Sequence, residues 1–341
     1  MTASQNELLR ATSRSFYLTL RALPRAIRPQ IGLAYLLART ADTIADTELV
    51  PLAQRLDALQ KLRERINKNS APLNFSELAG RQGSPAEKLL LEKANDSVEA
   101  LQQFSGDDQK RIRDVLATIT SGQELDLKRF APRESATANA MPEPTSIIAL
   151  ETALELDDYT YRVAGCVGEF WTKICRAHLF PQARLDERQF MTDAVRFGKG
   201  LQLINILRDL PADLKKGRCY LPREKLEQRK LLPQTMLSPA NEGNFLPLFR
   251  EYLDKAEAHL YAGWEYTNTL PFNQFRVRLA CAWPILIGME TIEKLRAAGV
   301  IELQQSVKIS RQEVRGIIVR TLFACPFRAL WNNLLPQKQL L

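Results

Sequence analysis

Only two histidines, His178 and His259, occur in a chain of 341 residues. That scarcity argues against a histidine–cysteine zinc site and against a histidine-based nucleophilic triad. The five cysteines, Cys166, Cys175, Cys219, Cys281 and Cys325, are an odd number and include no C-x-x-C pair. They read as reduced thiols of a cytoplasmic protein. A bound metal would therefore fall to carboxylates, which favour magnesium or manganese. No uncharged run approaches the ~18 residues of a membrane span, and Met1–Glu7 lacks an apolar signal core. The expectation is a soluble protein, at most peripheral at a membrane surface. No G-x-G-x-x-G or Walker loop and no convincing period-2 strand is present. Nor is there a basic stripe with interleaved aromatics, so nucleic acid is not an expected partner.

What is present is a basic balance, +8 at neutral pH, in an otherwise ordinary composition with 45% hydrophobic and 25% charged residues. Such a balance favours anionic partners, including phosphorylated small molecules and anionic membrane surfaces. Two stretches give it focus. Read as a helix, Leu201–Asp213 places Gln202, Asn205, Asp209 and Asp213 on one stripe, while Leu203, Ile204, Ile206, Leu207 and Leu210 cover most of the rest. A helix this apolar is normally buried, and carboxylates are seldom buried unless paired or bound to a cation. Basic residues follow at once in Lys215, Lys216 and Arg218. The stretch Pro29–Thr47 repeats the arrangement, with Tyr35, Arg39, Asp42 and Asp46 on one stripe and Ile31, Leu33, Ala34, Leu36, Leu37, Ala38 and Ile44 opposite. One Asp-x-x-x-Asp pair is weak evidence, because solvated acids at this spacing are common. Two pairs, each on a helix too apolar for the surface, suit magnesium and a phosphate-bearing ligand.

In chain order, helices are expected at about 6–21, 29–47, 51–68, 86–104 and 107–128, then from Ser146 to about His178, at 187–213, 223–232, 245–268, 272–297 and 310–331. Proline-bearing loops are expected at 69–86, with one helical turn around Phe75–Leu78, and at 131–145, the latter within one domain. Gly122–Asp126 either lines a pocket or frays as a polar helix end. In the run Asp157–Glu169, the small residues Ala164, Gly165 and Gly168 either permit close helix contact or leave room for a ligand, and Tyr159, Arg162 and Glu169 add polar groups. The architecture is all-α, a single domain of about ten or more helices. The segment Thr321–Trp331 is apolar with scattered arginines, a last core helix or a place of membrane contact.

Four ordered blocks now stand out: Ser13-Arg14-Ser15-Phe16, Tyr35 to Asp46, Tyr159 to Gly168, and Gln202 to Asp213 with Gly217, Arg218 and Pro222. Over residues 7 to 295 the chain resembles the squalene/phytoene synthase family of head-to-head prenyl synthases. The resemblance implies an all-helical fold around a large central cavity, with two aspartate motifs facing each other and holding magnesium ions on prenyl diphosphates. By position, Asp42, Asp46, Asp209 and Asp213 look like the metal-binding acids, with Gln202 and Asn205 beside them. Tyr35, Arg39, Arg208 and Arg218 resemble the family's residues near the diphosphates. Tyr159 matches the tyrosine near the reacting carbons, and Ser13, Arg14 and Phe16 match the helix covering one substrate site. Two departures are Ala45 and Ala212, where the family often carries a further acid. A third is Pro211, which removes a helix hydrogen bond just before Asp213.

The chemistry so implied is ionisation of an allylic diphosphate, with metal and arginine neutralising the leaving group and an apolar cavity excluding water. The Ser13–Phe16 block and the run Val163–Gly168 look close to the squalene branch. There, two farnesyl diphosphates give presqualene diphosphate, which is reduced by NADPH to squalene. The alternatives are a phytoene, dehydrosqualene or presqualene diphosphate synthase acting without reduction, and a non-catalytic assembly or binding protein of the same fold. Lys215, Lys216, Arg218 and Arg276 are candidate NADPH contacts or simply a solvated basic surface.

Overall fold

The computed structural model describes residues 3–13, 16–68, 71–131, 147–305 and 307–335. Its helices, in chain order, are α1 (Ala3–Thr12), α2 (Phe16–Ala22), α3 (Arg28–Asp46), α4 (Leu52–Lys68), α5 (Ser76–Gly80), α6 (Pro85–Glu92), α7 (Ala94–Glu99), α8 (Gly106–Arg129), α9 (Ala153–Thr160), α10 (Cys166–His178), α11 (Glu187–Lys215), α12 (Arg223–Gln228), α13 (Glu242–Thr269), α14 (Phe275–Ala297), α15 (Val300–Gln304), α16 (Arg311–Ala324) and α17 (Arg328–Asn332). A single wide π turn, Tyr161–Gly165, joins α9 to α10. Two short strands, β1 (Ile148–Ala149) and β2 (Arg218–Cys219), pair in parallel. The all-α expectation holds.

Several boundaries differ from the sequence reading. The helix expected over 6–21 stops at Thr12, where Thr12 Oγ1 bonds back to the Leu8 carbonyl and the Ser13 hydroxyl to that of Leu9. The helix expected from Ser146 starts only at Ala153. Ahead of it, the amides of Ile148 and Leu150 donate to the carbonyls of Gly217 and Cys219, and the Thr152 side chain caps the helix by accepting from the Glu155 amide. Those backbone groups are spent on a neighbouring segment, a tertiary choice that local patterning does not record. The helix expected over 310–331 breaks after Ala324, because Pro326 has no amide to continue it. By contrast, α11 runs through Pro211 to Lys215, so Asp213 stays on the helix. A left-handed Gly217 (φ 76°) then turns the chain into β2.

The contacts divide the chain into two compact units. The first comprises Met1–Lys128, Cys166–Leu185 and Pro271–Ala280. Its centre is α3, which starts with Pro29 in its first turn and buries Ile31, Leu33, Leu36, Leu37 and Ile44. Leu59, Leu62 and Ile66 of α4 and Ile112 and Leu116 of α8 are buried in the same unit. Asp108 of α8, almost wholly buried, receives His178 Nε2 at 2.8 Å, Gln30 Nε2 at 3.2 Å and Arg111 Nη1 at 2.8 Å. Burial alone would raise its carboxyl, but hydrogen bonds from His178, Gln30 and Arg111 outweigh that and hold it below the ordinary value. The site thus ties α3, α8 and α10 together, and His178 has a structural task.

The second unit comprises Arg129–Gly165, Asp186–Leu270 and Cys281–Leu341, with α11 and α13 packed along each other. Small residues set the spacing. A methyl group added at Gly198 would lie 2.2 Å from the Ala164 carbonyl oxygen, and one at Gly263 would lie 2.8 Å from the Phe197 ring. One at Gly165 would press on Tyr161, Lys199 and Val195. The run Ala164–Gly165 therefore serves close packing of the π turn on α11. Farther along, Phe190 stacks on Tyr266 at 4.4 Å and Trp264 on Trp331 at 5.3 Å.

His259, on α13, sits beside Gly200 with Arg196 Nε 3.5 Å from its Nδ1. Burial, then the nearby charges of Arg196, Lys255 and Lys199, lower its pKa from 6.5 to about 4. The folded chain thus resists a proton that the unfolded chain accepts below 6.5. Stability should fall as pH drops through that window toward 4, because the unfolded state then binds more protons. Denaturant midpoints at about pH 5 and about pH 7 should differ less in His259→Gln than in the unaltered chain.

Candidate active site

On α3, the polar stripe emerges from an otherwise buried helix. The Asp42 side chain keeps 46% of its surface open. It is nevertheless surrounded by enough protein that lost solvation raises its carboxyl to about 6, with the Asp46 charge adding to the shift. Arg39 and a short hydrogen bond from Gln123 Nε2 pull the other way. Arg39 Nη1 lies 3.9 Å from Asp42, and its Nη2 donates to Glu87 at 2.6 Å. Arg39, Asp42 and Asp46 are therefore brought together, with Asp46 exposed at the helix end. Tyr35 donates to the Thr12 carbonyl at 3.2 Å, fastening the end of α1 to α3. Ser13 is buried. Arg14 and the side chain of Phe16 lie outside the described residues.

On α11, Gln202 is half-buried, Asn205 exposed, and Asp209 and Asp213 half-buried. Arg208 grips Asp209 with two bonds, Nε to Oδ1 at 2.9 Å and Nη2 to Oδ2 at 2.6 Å. Asp213 lies near β2, where its charge contributes to raising the Cys219 thiol; burial is the larger cause and takes it to about 12. Arg218 is half-buried on β2. Tyr159 is buried, stacked on Tyr220 at 4.8 Å with the two hydroxyls 3.4 Å apart, and Phe130 meets Tyr220 edge-on at 5.1 Å. Arg162 is paired with Asp158 at 2.8 Å, and Lys199 with Asp157 at 2.7 Å.

Two participants were not singled out from sequence. Gln123 belongs to the run Gly122–Asp126, which does not fray but stays within α8, and it holds Asp42. Tyr220 carried no signal, since its role depends on β2 returning beside β1.

Among the described residues, no three His, Cys, Asp or Glu side chains converge as a ready-made metal cage. The donors on each stripe nonetheless fit a hard cation. Asp42 and Asp46 repel one another, a strain that a divalent ion would relieve. Each Asp209 oxygen bonded by Arg208 keeps a second lone pair. The donor atoms are all oxygen, as magnesium and manganese prefer.

A family model for squalene/phytoene synthases matches residues 9–313. The chain belongs to the squalene/phytoene synthase family. Members of this family are prenyl transferases of the head-to-head type, acting on prenyl diphosphates in isoprenoid biosynthesis. The chain is 26% identical over 297 residues to a bifunctional lycopene cyclase/phytoene synthase of Blakeslea trispora, covering 83% of this chain and 43% of the relative. It is 26% identical over 323 residues to a squalene synthase of Schizosaccharomyces pombe, covering 93% of this chain and 64% of the relative. It thus spans less than two thirds of these relatives' own lengths. Relatives at about 25–31% identity span squalene, phytoene and presqualene synthases. Its fold matches the solved complex of TcSQS with the ligand BPH1237 at a TM-score of 0.76 and 22% identity, over 97% of this chain and 89% of that one.

Proposed function

We propose that the chain condenses two farnesyl diphosphates head to head to presqualene diphosphate and, with NADPH, carries that product on to squalene. The observation supporting this most strongly is the α3 cluster. There an apolar helix presents two mutually repelling acids, Asp42 half-open and Asp46 exposed, with Arg39 and Gln123 on Asp42. Such a cluster suits a cation-bridged polyanion and has little value for stability alone.

In this reading Asp42, Asp46, Asn205, Asp209 and Asp213 hold magnesium or manganese, whose charge offsets that of the departing diphosphate. Arg39, Arg208 and Arg218 orient the diphosphates, and Gln123 fixes the direction of Asp42. Arg208 is kept protonated and in place by its two bonds to Asp209. The apolar helices carrying the acids limit water near the allylic cation, which water would otherwise capture. The Tyr159 phenol or the released diphosphate takes up the proton. Ser13, Arg14, Phe16, Tyr35 and Gln202 complete the substrate-binding set.

The reductive stage rests on the resemblance of the Ser13–Phe16 and Val163–Gly168 blocks to the squalene branch. Arg276, one of the four candidate NADPH contacts, donates to the Ala22 carbonyl at 2.6 Å and caps α2 instead. The relatives include squalene, phytoene and presqualene synthases alike, so condensation without reduction stands as the alternative. A non-catalytic role is disfavoured by the presence of all four acids. Product analysis from farnesyl diphosphate with and without NADPH decides: squalene only with the reductant supports the full reading, and the same product in both cases supports the alternative.

A further inference from the structure

Lys199 of α11 stands one turn before Gln202 and faces the π turn. Its side chain is 14% exposed, and its Nζ donates to Asp157 Oδ2 at 2.7 Å. The same ammonium lies 5.9 Å from the centre of the Tyr161 ring, within reach of a cation–π contact. A methyl group at Gly165 would lie 3.3 Å from Lys199 Cγ, so the stem runs along the far end of the turn. One side chain from α11 therefore spans the last turn of α9 and both ends of the π turn. Withdrawing a lysine from water and fixing its rotamers is costly. A half-open ion pair returns little stability for that cost. Such a pair is better suited to selecting one arrangement over another.

What it selects is the phase of α9. A π turn holds more residues than an α turn and occurs mostly as a single bulge, frequently at a functional site. Closing it to an α turn would rotate α9 by about 100°, the angle between successive helical residues. Tyr159 lies midway between Asp157 and Tyr161, the two upstream residues that Lys199 faces. In the observed phase its ring stacks on Tyr220 at 4.8 Å, with the hydroxyls 3.4 Å apart. Rotated by that angle, Tyr159 would leave Tyr220 on β2. The neighbouring pair Asp158–Arg162 cannot set the phase, because both partners ride on the same segment and turn with it. Lys199 is anchored on the other helix, beside the Gly198 that fits against the Ala164 carbonyl.

We propose that Lys199, through Asp157, is a positioning residue that locks the π turn in the phase aiming the Tyr159 phenol at the reacting carbons. This deepens the catalytic reading and rests on the role given there to Tyr159. The test compares Lys199→Met, Tyr159→Phe and the double variant in turnover of farnesyl diphosphate with magnesium and NADPH, and in near-ultraviolet circular dichroism. Methionine keeps most of the stem and removes the ammonium. Lys199→Met should lower kcat on the order of a hundredfold, the cost of a misplacement near 1 Å. KM should stay within about twofold, because ground-state binding is untouched. Added to Tyr159→Phe, Lys199→Met should cost less than about threefold, since nothing is left for it to position. The dichroism difference between the parent and Tyr159→Phe is the signature of the stacked tyrosines, and Lys199→Met should lose it too. If Lys199→Met folds poorly, Asp157→Asn carries the same comparisons, being nearly isosteric at a side chain 44% exposed. Parent-like kcat in Lys199→Met overturns the proposal. So does an intact tyrosine signature in that variant, or the same loss repeated on top of Tyr159→Phe. A parent chain that joins no prenyl units, or a Tyr159→Phe variant as fast as the parent, removes the catalytic role of Tyr159, and the dichroism alone then decides the lock.

Discussion

Asp42→Asn and Asp209→Asn should each lower turnover of farnesyl diphosphate on the order of a hundred- to a thousandfold, the scale of losing one charge aimed at a reacting centre. The exchange is nearly isosteric. The asparagine oxygen at position 42 still accepts from Gln123, and at position 209 it leaves Arg208 one acceptor. What is lost is the negative charge that would hold a divalent ion. Stability should barely move, because the side chains of Asp42 and Asp209 are 46% and 49% open, and ion pairs so exposed contribute about 0–1 kcal/mol. Activity and thermal melts measured on the same preparations separate the two effects. Unaltered activity in both variants removes the site assignment, and a collapsed melt would make the acids structural.

Gly198→Val should prevent folding of the second unit, and Gly198→Ala should destabilise it by about 3 kcal/mol, the upper range for overpacking a close contact. An added Cβ would sit 2.2 Å from the Ala164 carbonyl oxygen and 3.0 Å from Gly165 Cα. Both are backbone atoms that no rotamer change can move aside. Relief would require α11 to back away from the π turn, disturbing Gly200 against His259 and Gly263 against Phe197 at the same time. A control is Gly243→Ala, where nothing lies within 4 Å of the added Cβ, which should melt close to the parent. If Gly198→Ala melts no lower than Gly243→Ala, close packing is not what Gly198 provides.

The stripes of α3 and α11 were legible because each combines a 3.6-residue apolar period with acids that a buried helix would not carry idly. Asp42 and Arg39 could be read together because they share a helix. Gln123 could not be joined to Asp42, since 81 positions separate them and only the packing of α8 brings the amide to the carboxylate. The π turn was illegible for a related reason: Tyr161–Gly165 satisfies ordinary helical patterning, and the wider turn lies where Gly165 and Ala164 fit closely against α11. The strand pair failed similarly, its two-residue members being too short to show a period. Pro326 breaks the helix inside an apolar run whose patterning alone would carry it on to residue 331. The double character of α16 was posed from sequence as a choice between core and surface, yet the structure covers Ile317, Thr321 and Ala324 and leaves Val319, Leu322 and Phe323 open.

The central claim is that this chain joins two prenyl diphosphates head to head. Its most direct test is mass analysis of products after incubating the pure full chain with farnesyl diphosphate, magnesium and NADPH. The account predicts release of diphosphate together with a product built from two farnesyl units, squalene or presqualene diphosphate. The absence of any joined prenyl product, from either farnesyl or geranylgeranyl diphosphate, would contradict it.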